Sequence, residues 1–133
     1  NLEALPRFVA ANRERQQAYR RAFSGIDGIQ VLDYNEACEP NYQYVVVEVD
    51  ERSPATRDQI VAALQAENVL ARKYFWPGCH RMQPYRDLFP HAGLLLPQTE
   101  IVATRVIVLP TGSSTPLDAV DRICDIVSRA GRQ

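Results

Sequence analysis

The run Asn41-Tyr-Gln-Tyr-Val-Val-Val-Glu-Val-Asp50 leaves this chain little freedom of architecture. Its β-branched and aromatic residues favour extended backbone, and alternation puts Val45, Val47 and Val49 on one face and Tyr42, Tyr44 and Val46 on the other. Both faces read as at least partly buried, so Tyr42–Val49 belongs inside a covered sheet. Helical and extended patterns alternate around it. From Leu2 to Phe23, Leu5, Phe8, Val9, Tyr19, Ala22 and Phe23 recur at helical spacing among arginines and glutamines, with Pro6 in the first turn and Gly25 as a left-handed stop. Ile29 to Leu32 is a short strand. Thr56-Arg-Asp-Gln59 reads as a capping box for a helix with an Ile60, Val61 and Leu64 stripe ending near Asn68. Val69 to Phe75 reads as extended, Pro97 sits where a helix can start, and Val106 to Leu109 is a further strand stopped by Pro110. Thr115 reads as an N-cap with Pro116 at the first helical position, after which Leu117, Val120, Ile123, Cys124 and Val127 line one face as far as Gly131. This order predicts an α/β fold: a small, largely antiparallel or mixed sheet with helices packed mainly on one face.

A chain of 133 residues and 15.0 kDa is one domain, 1–133, with room for a real core. A formal charge of -1 supplies no general field for nucleic acid or an acidic membrane, so an anionic ligand has to be met by a local cluster. Lys73 is the lone lysine beside fourteen arginines, a bias that fits a GC-rich genome. Cys38, Cys79 and Cys124 are odd in number and widely spaced, which fits reduced thiols and a cytoplasmic location better than a disulfide framework. Cys79 and His80 are adjacent and have no second Cys-x-x-Cys or His-x-x-x-His pair, so no metal site is expected. Their side chains also point apart on a turn, against a Cys-His nucleophile. Walker and Rossmann fingerprints are absent.

The segment Ala71 to Tyr85 carries the chemistry, with aromatic, cationic and imidazole groups crowded around a Pro-Gly turn. Two prolines and a glycine fix the loop, and it presents His80 and Tyr85 between the flat walls of Tyr74, Phe75 and Trp76. The plainer reading is a buried aromatic cluster beside an ordinary turn. An imidazole there can donate to a sugar hydroxyl or a phosphate oxygen and titrates near neutral pH. Tyr85 is as well suited to packing as to binding. Lys73, with Arg72 and Arg81, belongs at the rim, where a nucleotide diphosphate or a facing carboxylate can be met.

The same segment, Tyr74-Phe-Trp-Pro-Gly-Cys-His80 with Pro84-Tyr85 after it, resembles the Tyr-Phe-x-Pro-x-x-His run of the DegT/DnrJ-type nucleotide-sugar aminotransferases, pyridoxal-phosphate enzymes of fold type I. Phe8 to Arg13, Ala18 to Arg21, Asn41 to Asp50, Leu96 to Glu100 and Val108 to Pro110 follow in the order of that family's C-terminal region, so the likeness covers nearly the whole chain. Glu67 to Arg72, running into Pro77 to His80, is most similar to members that aminate a 4-keto-6-deoxy sugar carried on a nucleoside diphosphate.

The resemblance implies that the chain is a small C-terminal domain, read without the N-terminal large domain that holds most of the pyridoxal phosphate and its Schiff-base lysine. Lys73 is then not that lysine, and no residue here is catalytic. It implies substrate contacts from His80, Tyr85, Tyr74 and Lys73, glutamate as the amino donor, a homodimer, and silence of the isolated chain. A severed domain should also leave an apolar outer face on the Leu2–Phe23 helix or the Tyr42–Val49 sheet. The rival reading is a free-standing α/β interaction or small-molecule-binding module without catalysis.

Overall fold

In the computed structural model, which describes residues 2–131, a single 3-10 turn over Leu2–Ala4 leads into α1 (Leu5–Phe23). Pro6 lies in the first turn of α1, where a missing N–H breaks no helical bond. Gly25 turns the chain at φ +96 into β1 (Ile29–Val31), and β2 (Val45–Val49), α2 (Arg57–Ala66), α3 (Tyr85–Leu88), α4 (Ala92–Leu95), α5 (Pro97–Arg105), β3 (Val106–Leu109) and α6 (Leu117–Ala130) follow. The fold is α/β, with a three-stranded antiparallel sheet in the order β1-β2-β3.

Register explains the single core. Ile29 lies opposite Val49, Val31 opposite Val47, Val45 opposite Leu109 and Val47 opposite Ile107, so one sheet face is entirely branched aliphatic. That face is covered by Tyr19 and Phe23 from α1, Ile60, Val61 and Leu64 from α2, and Val120, Ile123, Cys124 and Val127 from α6. Three helices therefore pack on one face of the sheet, as the alternating pattern predicts. The capping box of α2 also forms as its sequence predicts, with both the Thr56 and the Gln59 bonds in place. Among the described residues, no helix is long and apolar enough to cross a membrane.

Several local expectations are corrected. Tyr42 to Tyr44 precede the strand, because Tyr42 takes a left-handed φ of +52 and donates its hydroxyl to Glu36 Oε2 at 2.6 Å. The expected strand at Val69–Phe75 shrinks to one bridge between Arg72 and Val108, since Phe75 turns left-handed at φ +56 and takes the chain off the sheet. Thr115 does not cap α6. It is buried one residue too early, its hydroxyl reaching the Thr111 carbonyl and its own carbonyl accepting from Arg15 Nε at 2.5 Å, and Pro116 takes the N-cap place. Leu117 faces solvent, outside the buried stripe of α6. The apolar outer face is also elsewhere than expected: Leu5 and Phe8 of α1 are exposed, but most exposed large apolar side chains lie between Leu70 and Val102.

Candidate functional site

Residues 71–105 form an arm that leaves the sheet at Arg72 and returns to it at β3. Arg57 holds its root. This side chain is only 3% exposed, and it donates through Nη1 to the carbonyls of Ala103 (3.0 Å) and Val106 (3.1 Å) and through Nε to Asp58 Oδ1 (2.6 Å). Its guanidinium also lies 5.0 Å from the ring centroid of Trp76, a cation–π contact that ties α2 to the arm. Lys73 joins the same cluster, with Nζ 2.8 Å from Asp58 Oδ1. Hydrogen bonds from Lys73 and then Arg57 hold the Asp58 carboxyl below the usual carboxylate range.

At the other end of the arm a second carboxylate gathers two cations. The loop contains cis peptides at Trp76–Pro77 and Gln83–Pro84, and between them Gly78 sits at φ +98. A Cβ at Gly78 would stand 2.8 Å from His80 Cε1, so both the backbone angle and the imidazole require glycine. The 3-10 turn Cys79–Arg81 then aims two neighbouring side chains at Glu100, in the first turn of α5. His80 Nε2 lies 2.5 Å from Glu100 Oε1; Arg81 donates Nε to the same oxygen at 2.6 Å and Nη2 to Oε2 at 2.7 Å. With Arg81 first and His80 second, these bonds hold the Glu100 carboxyl down at about 2, so it is an anion at any physiological pH.

His80 stands between two clefts. One, of about 610 Å³, is walled by Tyr74, Phe75, Cys79, Leu96, Val102 and Val106 and is mainly apolar. The other, of about 710 Å³, carries Arg81, Arg86, His91 and Glu100 beside Phe89 and Leu94. Of the four residues expected to meet substrate, His80 and Tyr74 share the apolar cleft. Tyr74 packs its ring on Tyr44 (5.4 Å) and Phe75 (5.0 Å). Tyr85 opens α3 as an exposed side chain away from both cleft linings, and Lys73 is at the root with a carboxylate partner. Among the described residues no three His, Cys, Asp or Glu side chains gather as metal ligands.

Sequence reasoning missed Glu100, Arg57 and Asp58 as site-forming residues. Glu100 is twenty positions from His80, beyond any local motif, and Arg57 and Asp58 look like the polar first turn of a capped helix. A weak signal existed in Glu100 as the one acidic residue between Asp87 and Asp118.

The model of the DegT/DnrJ/EryC1/StrS aminotransferase family matches residues 1–128. The dTDP-4-amino-4,6-dideoxy-D-glucose transaminase of Escherichia coli is 35% identical over 92 residues, 69% of this chain and 25% of that protein. Among solved structures, DesI in the presence of its TDP-sugar product superposes with a TM-score of 0.87 and 41% identity, over 98% of this chain and 33% of that one. Helicobacter pylori PseC, an aminotransferase involved in the biosynthesis of pseudoaminic acid, shares the fold with a TM-score of 0.82 at 19% identity, over 98% of this chain and 34% of that one. The chain thus spans a quarter to a third of the length of the proteins it matches.

Proposed function

The chain belongs to the DegT/DnrJ/EryC1/StrS aminotransferase family, and from that premise we propose that it is the C-terminal small domain of a pyridoxal-phosphate-dependent aminotransferase acting on a keto-deoxysugar carried on a nucleoside diphosphate. Glutamate is the proposed amino donor, and a cytoplasmic homodimer the proposed working form. The observation that carries the substrate class is the 41% identity, over 98% of this chain, to a protein solved with its TDP-sugar product. A TDP-linked 4-keto-6-deoxysugar is accordingly the first substrate to test.

The chain offers no free lysine to form the coenzyme's Schiff base. The lone lysine is engaged with Asp58 at 2.8 Å, so no step through pyridoxal phosphate is assigned to this chain. Its part is to close and shape the sugar site. Exposed apolar side chains such as Phe75, Met82, Leu94 and Leu95 concentrate on the arm, which suits a lobe that packs against further protein and favours this reading over a free-standing module. His80 and Tyr74 then present an imidazole edge and an aromatic wall to the sugar, fixing its orientation.

The test uses the complete protein with coenzyme, glutamate and a TDP-linked keto-deoxysugar, following the amino sugar by mass spectrometry. Failure to aminate any nucleotide-linked keto sugar would overturn the reading. His80→Ala is expected to lower turnover and affinity together, by roughly ten- to a hundredfold, as for a lost hydrogen bond of 1.5–3 kcal/mol. Borohydride reduction and peptide mapping should find no stoichiometric adduct on Lys73.

A further inference from the structure

Glu100 makes two contacts whose combined effect is chemical as well as mechanical. Its Oε2 and Oε1 are bridged by Arg81 in a bidentate pair at 2.7 and 2.6 Å, a geometry that keeps the carboxylate ionised and therefore acceptor-only. The second partner is His80 Nε2, 2.5 Å from Oε1. An acceptor-only oxygen at that distance requires a hydrogen on Nε2. In a neutral imidazole the other nitrogen, Nδ1, must then carry the lone pair. No protein donor or acceptor among the described residues reaches Nδ1, and the ring is only 8% exposed, standing between the two clefts.

The surroundings are cut to fit this arrangement. A Cβ at Gly93 would come 3.0 Å from Glu100 Oε1 and 3.3 Å from Arg81 Nη2, and one at Gly78 would come 3.0 Å from His80 Nδ1. Two glycines, on either side of the cluster, leave the space that the carboxylate and the ring occupy. We infer that Glu100 is a positioning residue that fixes the neutral His80 ring as the Nε2–H tautomer, the form that presents a hydrogen-bond acceptor at Nδ1 to a hydroxyl or amine donor on the substrate.

The consequence for the substrate rests on the aminotransferase reading above, whereas the tautomer stands independently of it. Whenever its ring is neutral, His80 held in this tautomer takes a hydrogen bond from a sugar hydroxyl or amino group through Nδ1 and has no hydrogen there to give to a phosphate oxygen. This assigns His80 to the sugar end of a nucleotide-linked ligand. The diphosphate end is left to donors that cannot lose their protons, of which Arg86 in the neighbouring cleft is one.

The test is nitrogen-15 solid-state NMR on the complete protein labelled at the histidine ring nitrogens, with His80→Asn used to assign the signal. The pH is raised until the His80 ring is neutral. Nε2 is expected protonated and Nδ1 unprotonated in the wild type, with a mixture of tautomers in Glu100→Gln, whose amide can donate as well as accept. A wild-type ring protonated at Nδ1, or a tautomer unmoved by Glu100→Gln, overturns the inference whatever the enzyme does. In steady-state kinetics on the TDP-linked sugar, Glu100→Gln is expected to raise KM and lower kcat, with roughly a tenfold loss in kcat/KM. Removing the substrate hydroxyl or amine that meets Nδ1 should cost the wild type far more than it costs the Glu100→Gln variant. If both substrates respond equally in the two proteins, the positioning role is wrong even where the tautomer is right. If the complete protein aminates no nucleotide sugar while the spectra are as expected, the functional reading fails and the tautomer assignment survives.

Discussion

The sandwich of α1, α2, α6 and the sheet contrasts with the arm over residues 71–105. In the sandwich, Tyr19, Val45, Ile60, Leu64 and Val120 are almost wholly buried, and the packing is a continuous aliphatic layer. Between Arg72 and Arg105 the only buried residue is Gly78. The arm has no core of its own. What holds it are polar joints, Arg57 with Asp58 and Lys73 at the root and Glu100 with His80 and Arg81 farther out, while its large apolar side chains face outward. Burial specifies the scaffold, and directional bonds specify the site. That division suits a lobe whose surface is completed by other protein, because apolar side chains left outward need a partner to be worth their exposure.

The sharpest way to break the contrast is to truncate a leucine in each region. Leu64→Ala removes a fully buried side chain and should cost about 2–5 kcal/mol in denaturant unfolding. Leu94, 82% exposed, should cost less than about 0.5 kcal/mol when truncated in the same chain. Equal losses would mean that the arm hides a core that the burial pattern does not reveal.

Next in size is the joint itself. Arg57→Met keeps much of the side-chain length but removes the donors to Ala103 and Val106, leaving two carbonyls without their partner at a cost of about 2–3 kcal/mol. The loss should be local. Hydrogen exchange is expected to quicken in residues 72–105 and to stay slow in β2 and α6; uniform quickening would show that sandwich and arm unfold as one unit.

The two regions were also unequally legible in the sequence. Val45 to Val49, the Thr56 capping box and the α6 stripe from Val120 to Val127 are set by neighbours within a few residues, so periodicity finds them. The arm is set by distant pairs. Arg57 reaches Ala103 and Val106, and His80 reaches Glu100, separations that no local pattern encodes. Where local reading failed, a left-handed residue or a long-range bond intervened: Phe75 ended the expected strand, and Arg15 held the Thr115 carbonyl inside the core. His80 and Tyr74 stand out in the sequence by composition, whereas Glu100, which bonds the imidazole, does not. Lys73 is expected at a rim where a nucleotide diphosphate or a facing carboxylate can be met; the structure sets it against the Asp58 carboxylate, on a different element from the one that faces His80.

Acid should separate the regions further. Glu100 titrates at about 2 in the fold against an ordinary value of 4.5, a depressed pKa. Its stabilising contribution is therefore complete above about 4.5 and is lost as the pH falls from there toward 2. Asp58 is depressed too and adds a loss of the same sign at the root. The arm should thus become protease-sensitive between pH 4.5 and 2 before the sandwich, whose core is an aliphatic layer, loosens. Glu100→Gln should remove part of that pH dependence and Asp58→Asn the rest. An arm that resists acid as well as the sandwich does would mean that its joints are not electrostatic.

The smallest effect concerns Trp76, whose ring lies under the Arg57 guanidinium at 5.0 Å. Trp76→Phe keeps an aromatic face with a weaker quadrupole and should cost only a few tenths of a kcal/mol, since the whole contact at a half-exposed site contributes about 0.5–1 kcal/mol. Trp76→Leu should cost the full amount. Because this is the single tryptophan of the chain, its emission reports on the root of the arm without added labels. Arg57→Met removes the cation from the ring and should shift that emission, whereas Leu94→Ala, out on the exposed part of the arm, should leave it as it was. An unchanged spectrum in Arg57→Met would mean that Trp76 does not sense the guanidinium, and the root would then be held by the carbonyl and Asp58 bonds alone.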